Sequence, residues 1–360
     1  MTEDHIYRDN TLTAQNDFHV FWENFEGTLN RLRVAQIGNF RPEHSTENHL
    51  HRALLNNGHL ATKVQENVRC AFDLASRQLD GLDLILWTRT GWDWPSIYGP
   101  GGDTIALQAQ ALMLAKAKIA GVPVVGYHLD RWWDLNREHQ LDEPFFQCDI
   151  VITADGGNQE RFAAKGINHV WFPPGVSRDE CEPGMFRDEF HSKLAFVGSW
   201  QGGYHQEHQH RFELVAWLRK NFRRDCAFWP KEGRPAVRGQ DLRDLYASVD
   251  VVVGDSCFAG STKGAYYWSD RIPETIGRGG YLLHPWVEGL QGQFTTACHM
   301  GTWIAGDWDG LGNAIEWALT HPDDRRAVAR QGREHVLQHH TYEVRVQQLV
   351  DLLNERNLLR

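Results

Sequence analysis

Residues 237–256 read VRGQDLRDLYASVDVVVGDS. A short helix over Asp241–Ala247 runs straight into a strand, Val249–Val253, that is apolar except for Asp250 and stops at Gly254-Asp255-Ser256. A helix feeding such a strand, with Gly and Asp at its end, reads as one unit of a parallel sheet covered on both faces. The unit repeats outward. Before it lie strand Leu194–Val197 with turn Gly198-Ser199, helix Gln209–Asn221 and strand Cys226–Trp229. After it come strands Tyr281–Leu283 and Trp303–Ile304, then helices Asp309–Thr320, Pro322–His339 and Tyr342–Leu359.

The first half follows the same alternation. Strand Leu32–Ile37 ends at Gly38-Asn39, and a helix follows with Ser45 or Thr46 as its cap and Glu47 in its first turn. Strand Ala61–Val64, helix Val68–Gln78, the apolar run Leu82–Trp87 and helix Ile105–Ala120 come next. Strands Pro123–Tyr127, Asp149–Thr153 and Val170–Phe172 complete the series. The stretch 172–184, FPPGVSRDECEPG, breaks the pattern with three prolines and two glycines and reads as a linker. The expectation is an α/β protein with two open parallel sheets in tandem. An N-terminal arm would span 1–30, with a helix around FHVFWENFEGTLNRL. The first domain would span 31–175 and the second 185–340. A closing helix would cover 341–360, with a return to the first domain as one option.

At 360 residues the chain is too long for one ordinary core. It holds no run of about 18 apolar residues, so no membrane span is expected. Its polar, acidic start does not read as a signal peptide, and six scattered cysteines without CxxC spacing suit reduced thiols. Cytoplasmic placement is the expectation. The net charge of −10 speaks against a protein that lives on nucleic-acid phosphates. Fifteen tryptophans offer flat faces to sugars or bases as well as core volume.

In open parallel sheets, ligands bind beyond the carboxyl ends of the strands. Those ends carry Gly38-Asn39, the loop Arg89–Trp94, His128 and Asp130, Asp155, Gly198-Ser199 and Gly254-Asp255-Ser256. Turn chemistry accounts for the Gly and Asp residues but not for His128 or the tryptophan loop. Asp130 could orient a hydroxyl or act as a base. The segment HQEHQH, with His205, His208 and His210, has metal-like spacing but no apparent fourth ligand. No metal is expected.

Several segments resemble one family: LAFVGSW (194–200), the opening stretch 237–256, SDRIPETIGRGGYLL (269–283) and the tail from Asp324, together with VVGYHLD and the residues from Gly38 to His59. Over residues 32–355 the chain resembles GT-B glycosyltransferases, of the bacterial and phage group related to spore-maturation glycosyltransferase-like proteins. The resemblance implies two Rossmann-like domains facing across a cleft, a nucleoside diphosphate sugar as donor, a UDP-sugar foremost, and no required cofactor. It implies that Glu274 takes the ribose hydroxyls, a task a carboxylate suits because it accepts two donors at once. Arg271, with Asp270 beside it, would stand near phosphate. Arg211, Lys231 and Arg238 are further phosphate or base-loop candidates, and Gly38, Asn39 and Arg41 would face the phosphates from the first domain. Gly198 and Ser199 would lie at the same place in the second. His128, Asp130 and Asp155 are the catalytic candidates. Many retaining relatives carry a second Glu eight positions before the ribose Glu; here that position is Tyr266. Retention is the implied stereochemistry. The acceptor stays open among a hydroxymethylated DNA base, a protein and a small molecule, and so does the oligomeric state. A GT-B nucleotide-sugar epimerase and a non-catalytic carbohydrate-binding protein of the same fold are the alternatives.

Overall fold

The computed structural model describes residues 31–76, 79, 81–89, 102–134, 137–199, 209–231, 234–257 and 266–359. The expected helix around residues 18–32 and the loop with Trp92 and Trp94 therefore lie outside the described residues, apart from Arg31 and Leu32. Contacts group Leu32–Arg360 into one unit.

That unit contains two parallel sheets. The first comprises β1 (Arg33–Gly38), β2 (Leu60–Gln65), β3 (Leu84–Thr88), β4 (Val124–His128), β5 (Ile150–Thr153) and β6 (His169–Trp171), in the order β2-β1-β3-β4-β5-β6. Its central strands are buried almost throughout, all five residues of β3 included, as the continuous apolar runs require. Helices α1 (Thr46–Asn56), α2 (Val68–Ser76), α3 (Gly102–Ala120) and α4 (Gln159–Ala164) make the connections. Ser45 is the α1 cap, its hydroxyl accepting from the Asn48 amide at 3.2 Å.

The second sheet holds β7 (Ser192–Val197), β8 (Cys226–Trp229), β9 (Val249–Val253), β10 (Leu282–Pro285) and β11 (Gly301–Trp303), in the order β11-β10-β9-β7-β8. Helices α5 (Gln209–Phe222) and α8 (Trp308–Thr320) pack on one face around Leu214, Leu218, Leu311 and Ile315. Helices α6 (Gly239–Ser248), α7 (Arg271–Gly277) and α9 (Pro322–His339) pack on the other around Leu242, Leu245, Ile276 and Val336.

Helix α10 (Tyr342–Glu355) packs on α1 in the first half. The Tyr342 amide donates to Val176 O at 2.9 Å, and Asn57 Nδ2 donates to Glu343 O at 2.8 Å. Arg345 is buried, 2% exposed, and it donates to Pro173 O at 2.8 Å and His339 O at 3.2 Å. Burial lowers it to about 10. A guanidinium satisfied by carbonyls thus ties α10 to the segment between the sheets.

Candidate functional site

Strand β7 ends at Gly198, whose φ of 148° is a conformation side chains rarely adopt. A Cβ there would lie 2.7 Å from Arg271 Cζ, so the guanidinium rests directly on this glycine. Beside it Arg211, 2% exposed, donates to Asp255 Oδ2 at 3.0 Å and to the Ser199 carbonyl at 2.9 Å. His210 Nδ1 holds the other Asp255 oxygen at 3.1 Å. Burial lowers the Arg211 pKa, and the neighbouring Arg271 charge lowers it further against the pull of Asp255. Arg271 has no ion-pair partner among the described residues. Asp255 pairs with Arg211, and the Arg271 guanidinium beside them leaves positive charge for an anion.

One turn along α7 stands Glu274. It lines a cavity of about 370 Å³ together with Ser45, His49, Ser177, Arg238, Asp270 and Arg278. No described residue donates a hydrogen bond to its carboxylate. Burial raises its pKa, and Asp270 adds to this; Arg278, Arg238 and Arg271 oppose. Arg278 Nη1 donates to the Glu274 carbonyl at 3.0 Å, and Nη2 donates to Glu180 Oε2 at 3.2 Å. Burial alone would raise the Glu180 carboxyl, but Arg278, His49 and Arg243 outweigh it and hold it low. Unpartnered carboxylate and nearby cations together suit a ligand with hydroxyl donors and negative charge.

His128 ends β4 with its ring against Trp132, 4.8 Å between centroids. Its Nδ1 accepts the Asp130 amide at 2.9 Å, and burial pushes it down to about 4. The neutral ring therefore carries its proton on Nε2, which makes it a hydrogen-bond donor at neutral pH rather than a base. Asp130 is exposed and paired with Arg137 at 3.4 Å.

Asp155 departs from the expectation of a catalytic carboxylate. It is 0% exposed. Its Oδ2 accepts the amides of Trp132 and Trp133 at 3.0 and 3.1 Å, and Oδ1 accepts Asn158 Nδ2 at 2.6 Å. It fastens the segment after β4 and reaches no open surface. Gly38 allows close approach: a Cβ there would meet Glu47 Cγ at 2.5 Å. Asn39 Oδ1 is taken by Gln65 at 3.2 Å and the Arg41 amide at 3.4 Å. Lys231 is exposed with its ammonium 4.5 Å from the Trp229 ring centre, and it does not line the cavity. The structure thus brings Gly198, Ser199, Arg211, Arg238, Asp270, Arg271 and Glu274 around one region, and leaves Asp155 and Lys231 out of it.

Of the histidine cluster, His205 and His208 lie outside the described residues, and His210 is held by Asp255 and stacked on Trp308. Among the described residues His44, His49 and Glu180 bring possible ligand atoms within 4.8 Å of one another. Their surroundings suit no cation: Arg52 donates to His49 Nδ1 at 2.6 Å, and Arg278 and Arg243 reach Glu180 Oε2. A metal-bound histidine ordinarily donates its second ring N–H, whereas this one receives.

Sequence reasoning missed Ser177, Glu180 and Arg278. Arg278 sits inside the quoted signature, yet a charge at a helix end reads as solvent-facing until the fold shows it 3% exposed.

Residues 193–351 match the family described as glycosyl transferase-like. No curated protein matches in sequence. Among solved structures, HepE from Anabaena, in complex with UDP and glucose, superposes with a TM-score of 0.58 at 11% identity, covering 90% of this chain and 100% of that one. Sucrose-phosphate synthase from Thermosynechococcus elongatus gives 0.58 at 12% identity over 91% and 100%. An alpha-glucosyltransferase, in complex with UDP and a 13-mer DNA, gives 0.59 at 10% identity over 91% and 100%. The chain carries a glycosyl transferase-like domain over residues 193–351 within a two-sheet GT-B fold, the build of a glycosyltransferase.

Proposed function

We propose that this protein transfers a sugar from a UDP-sugar to a hydroxyl acceptor. The observation that carries the reading is the unpartnered Glu274 carboxylate one helical turn from Arg271, which is itself unpaired among the described residues. Glu274 would accept the two ribose hydroxyls. Arg271, with Arg211 behind it, would hold the diphosphate and stabilise the charge that grows on it as the glycosidic bond breaks. No metal is needed for that task. His128 would donate its Nε2–H to the sugar. UDP in the neighbouring HepE and alpha-glucosyltransferase structures supports the choice of nucleotide.

Retention of configuration is part of the proposal and rests on the resemblance of the Glu274 segment to retaining enzymes. The acceptor would approach over the first sheet. A small molecule or a protein fits the net charge of −10 better than a DNA duplex does. The test is mass spectrometry after incubation with a panel of sugar nucleotides and acceptors, including hydroxymethylated DNA, beside calorimetric titration with UDP. Acceptor-dependent release of UDP supports the proposal. Turnover of the nucleotide sugar with no acceptor would favour an epimerase, and no UDP binding would overturn the reading.

A further inference from the structure

The cavity beside Glu274 has a second wall, made by the first half and the segment between the sheets. His49 on α1 lines it and is 7% exposed. Its Nδ1 is occupied by the Arg52 guanidinium at 2.6 Å. An arginine only donates, so Nδ1 must accept, and the neutral ring must carry its proton on Nε2. That Nε2–H has no partner among the described residues; Glu180 is close but beyond hydrogen-bond reach. Burial, with Arg52 as the next cause, holds His49 at about 4, so the arrangement persists across neutral pH. Tyr342 stacks on the ring at 6.3 Å, nearly parallel, and fixes its plane. Ser177, 2% exposed on the same cavity, also leaves its Oγ without a partner. One buried hydroxyl without a partner and one N–H open to the same cavity suit a ligand with polar atoms of its own.

We propose that His49 and Ser177 read the base of the nucleotide, and that the obligate Nε2–H of His49 selects uracil over cytosine. This rests on the UDP-sugar reading above. With the ribose on Glu274, the base would extend toward this wall. Uracil presents a carbonyl oxygen at the position where cytosine presents an amino group. The His49 donor matches the first and meets the second donor to donor, and a buried mismatch of that kind is costly. The Ser177 hydroxyl can donate or accept and takes the neighbouring ring atom.

The experiment is calorimetric titration of the full chain with UDP and with CDP. The wild type should prefer UDP by roughly tenfold or more. His49→Phe should collapse that preference, and His49→Gln, which keeps an N–H donor, should restore part of it. Arg52→Leu provides a variant that leaves the ring in place. It frees Nδ1, lets the ring adopt either tautomer, and should narrow the preference by improving CDP binding. Glu274→Ala should weaken both nucleotides alike. An unchanged UDP/CDP ratio in Arg52→Leu and in either His49 variant would overturn this inference, and Glu274→Ala would still report on the nucleotide reading. Failure of the wild type to hold either nucleotide would sink both.

Discussion

Glu274 has two opposite dependences on pH. Folding raises its pKa through burial and the Asp270 charge, so the folded state holds the proton more tightly than the unfolded chain. Its own contribution to stability therefore grows as pH falls. Binding a ribose diol needs the carboxylate, so nucleotide affinity should fall at mildly acidic pH, where an ordinary glutamate is still ionised. Calorimetry with UDP across about pH 5 to 8 checks this, and a flat profile would count against Glu274 as the ribose ligand. Glu274→Ala should cost about 1–3 kcal/mol of UDP binding, the scale of hydrogen bonds to a charged group. Gly198→Ala gives a separate prediction. The added methyl must displace Arg271, so UDP should bind roughly tenfold more weakly while uridine, which has no phosphate, is little changed. Glu274 and Arg271 were legible in the sequence because their spacing to a glycine turn is local. The state of the His49 ring was not, since its tautomer depends on Arg52 one turn along and its plane on Tyr342 almost three hundred residues away.

The elements themselves were legible wherever the period was long enough. Strands Cys226–Trp229 and Val249–Val253 and helix Pro322–His339 have the expected ends. Helix α4, six residues long, escaped notice because a single turn and a half gives no measurable periodicity. Helix α7 runs from Arg271 to Gly277 and sets Glu274 at its middle. The last helix stops at Glu355, four residues short of the expected end. Its role depends on Arg345, whose donors are satisfied by carbonyls, Gln348 and a histidine nitrogen. Arg345→Ala removes the tie between α10 and Pro173 and strands those acceptors. We expect a loss on the order of 3 kcal/mol, seen as a lower denaturation midpoint with an unchanged slope. A midpoint equal to that of the wild type would mean that α10 holds by its apolar face alone.

Two parallel sheets in one contact unit bury many histidines in neutral form. His49, His128, His284 and His335 are pushed down to about 4 by burial, and His169 to about 3. In the unfolded chain each would take its proton near 6.5. Between these values the unfolded state binds more protons, so stability is lost as pH falls. The raised carboxyls of Glu47, Asp155 and Glu274 act the other way but are fewer. The melting temperature should therefore drop steadily from about pH 7 to pH 5; a rise over that range would show that the histidines are solvated in the native state.

The return of α10 to the first half also bears on how the protein is made. The Asn56–Glu343 hydrogen bond spans 287 residues of chain. As the polypeptide leaves the ribosome, α1 and the strands behind it emerge long before their last packing partner exists. The side chains of His49, Asn56 and Asn57, which meet Tyr342 and Glu343, must wait through the synthesis of the entire second sheet. Nascent chains halted before Tyr342 should therefore be held by chaperones and cut readily within α1, and release of the last helix should abolish both.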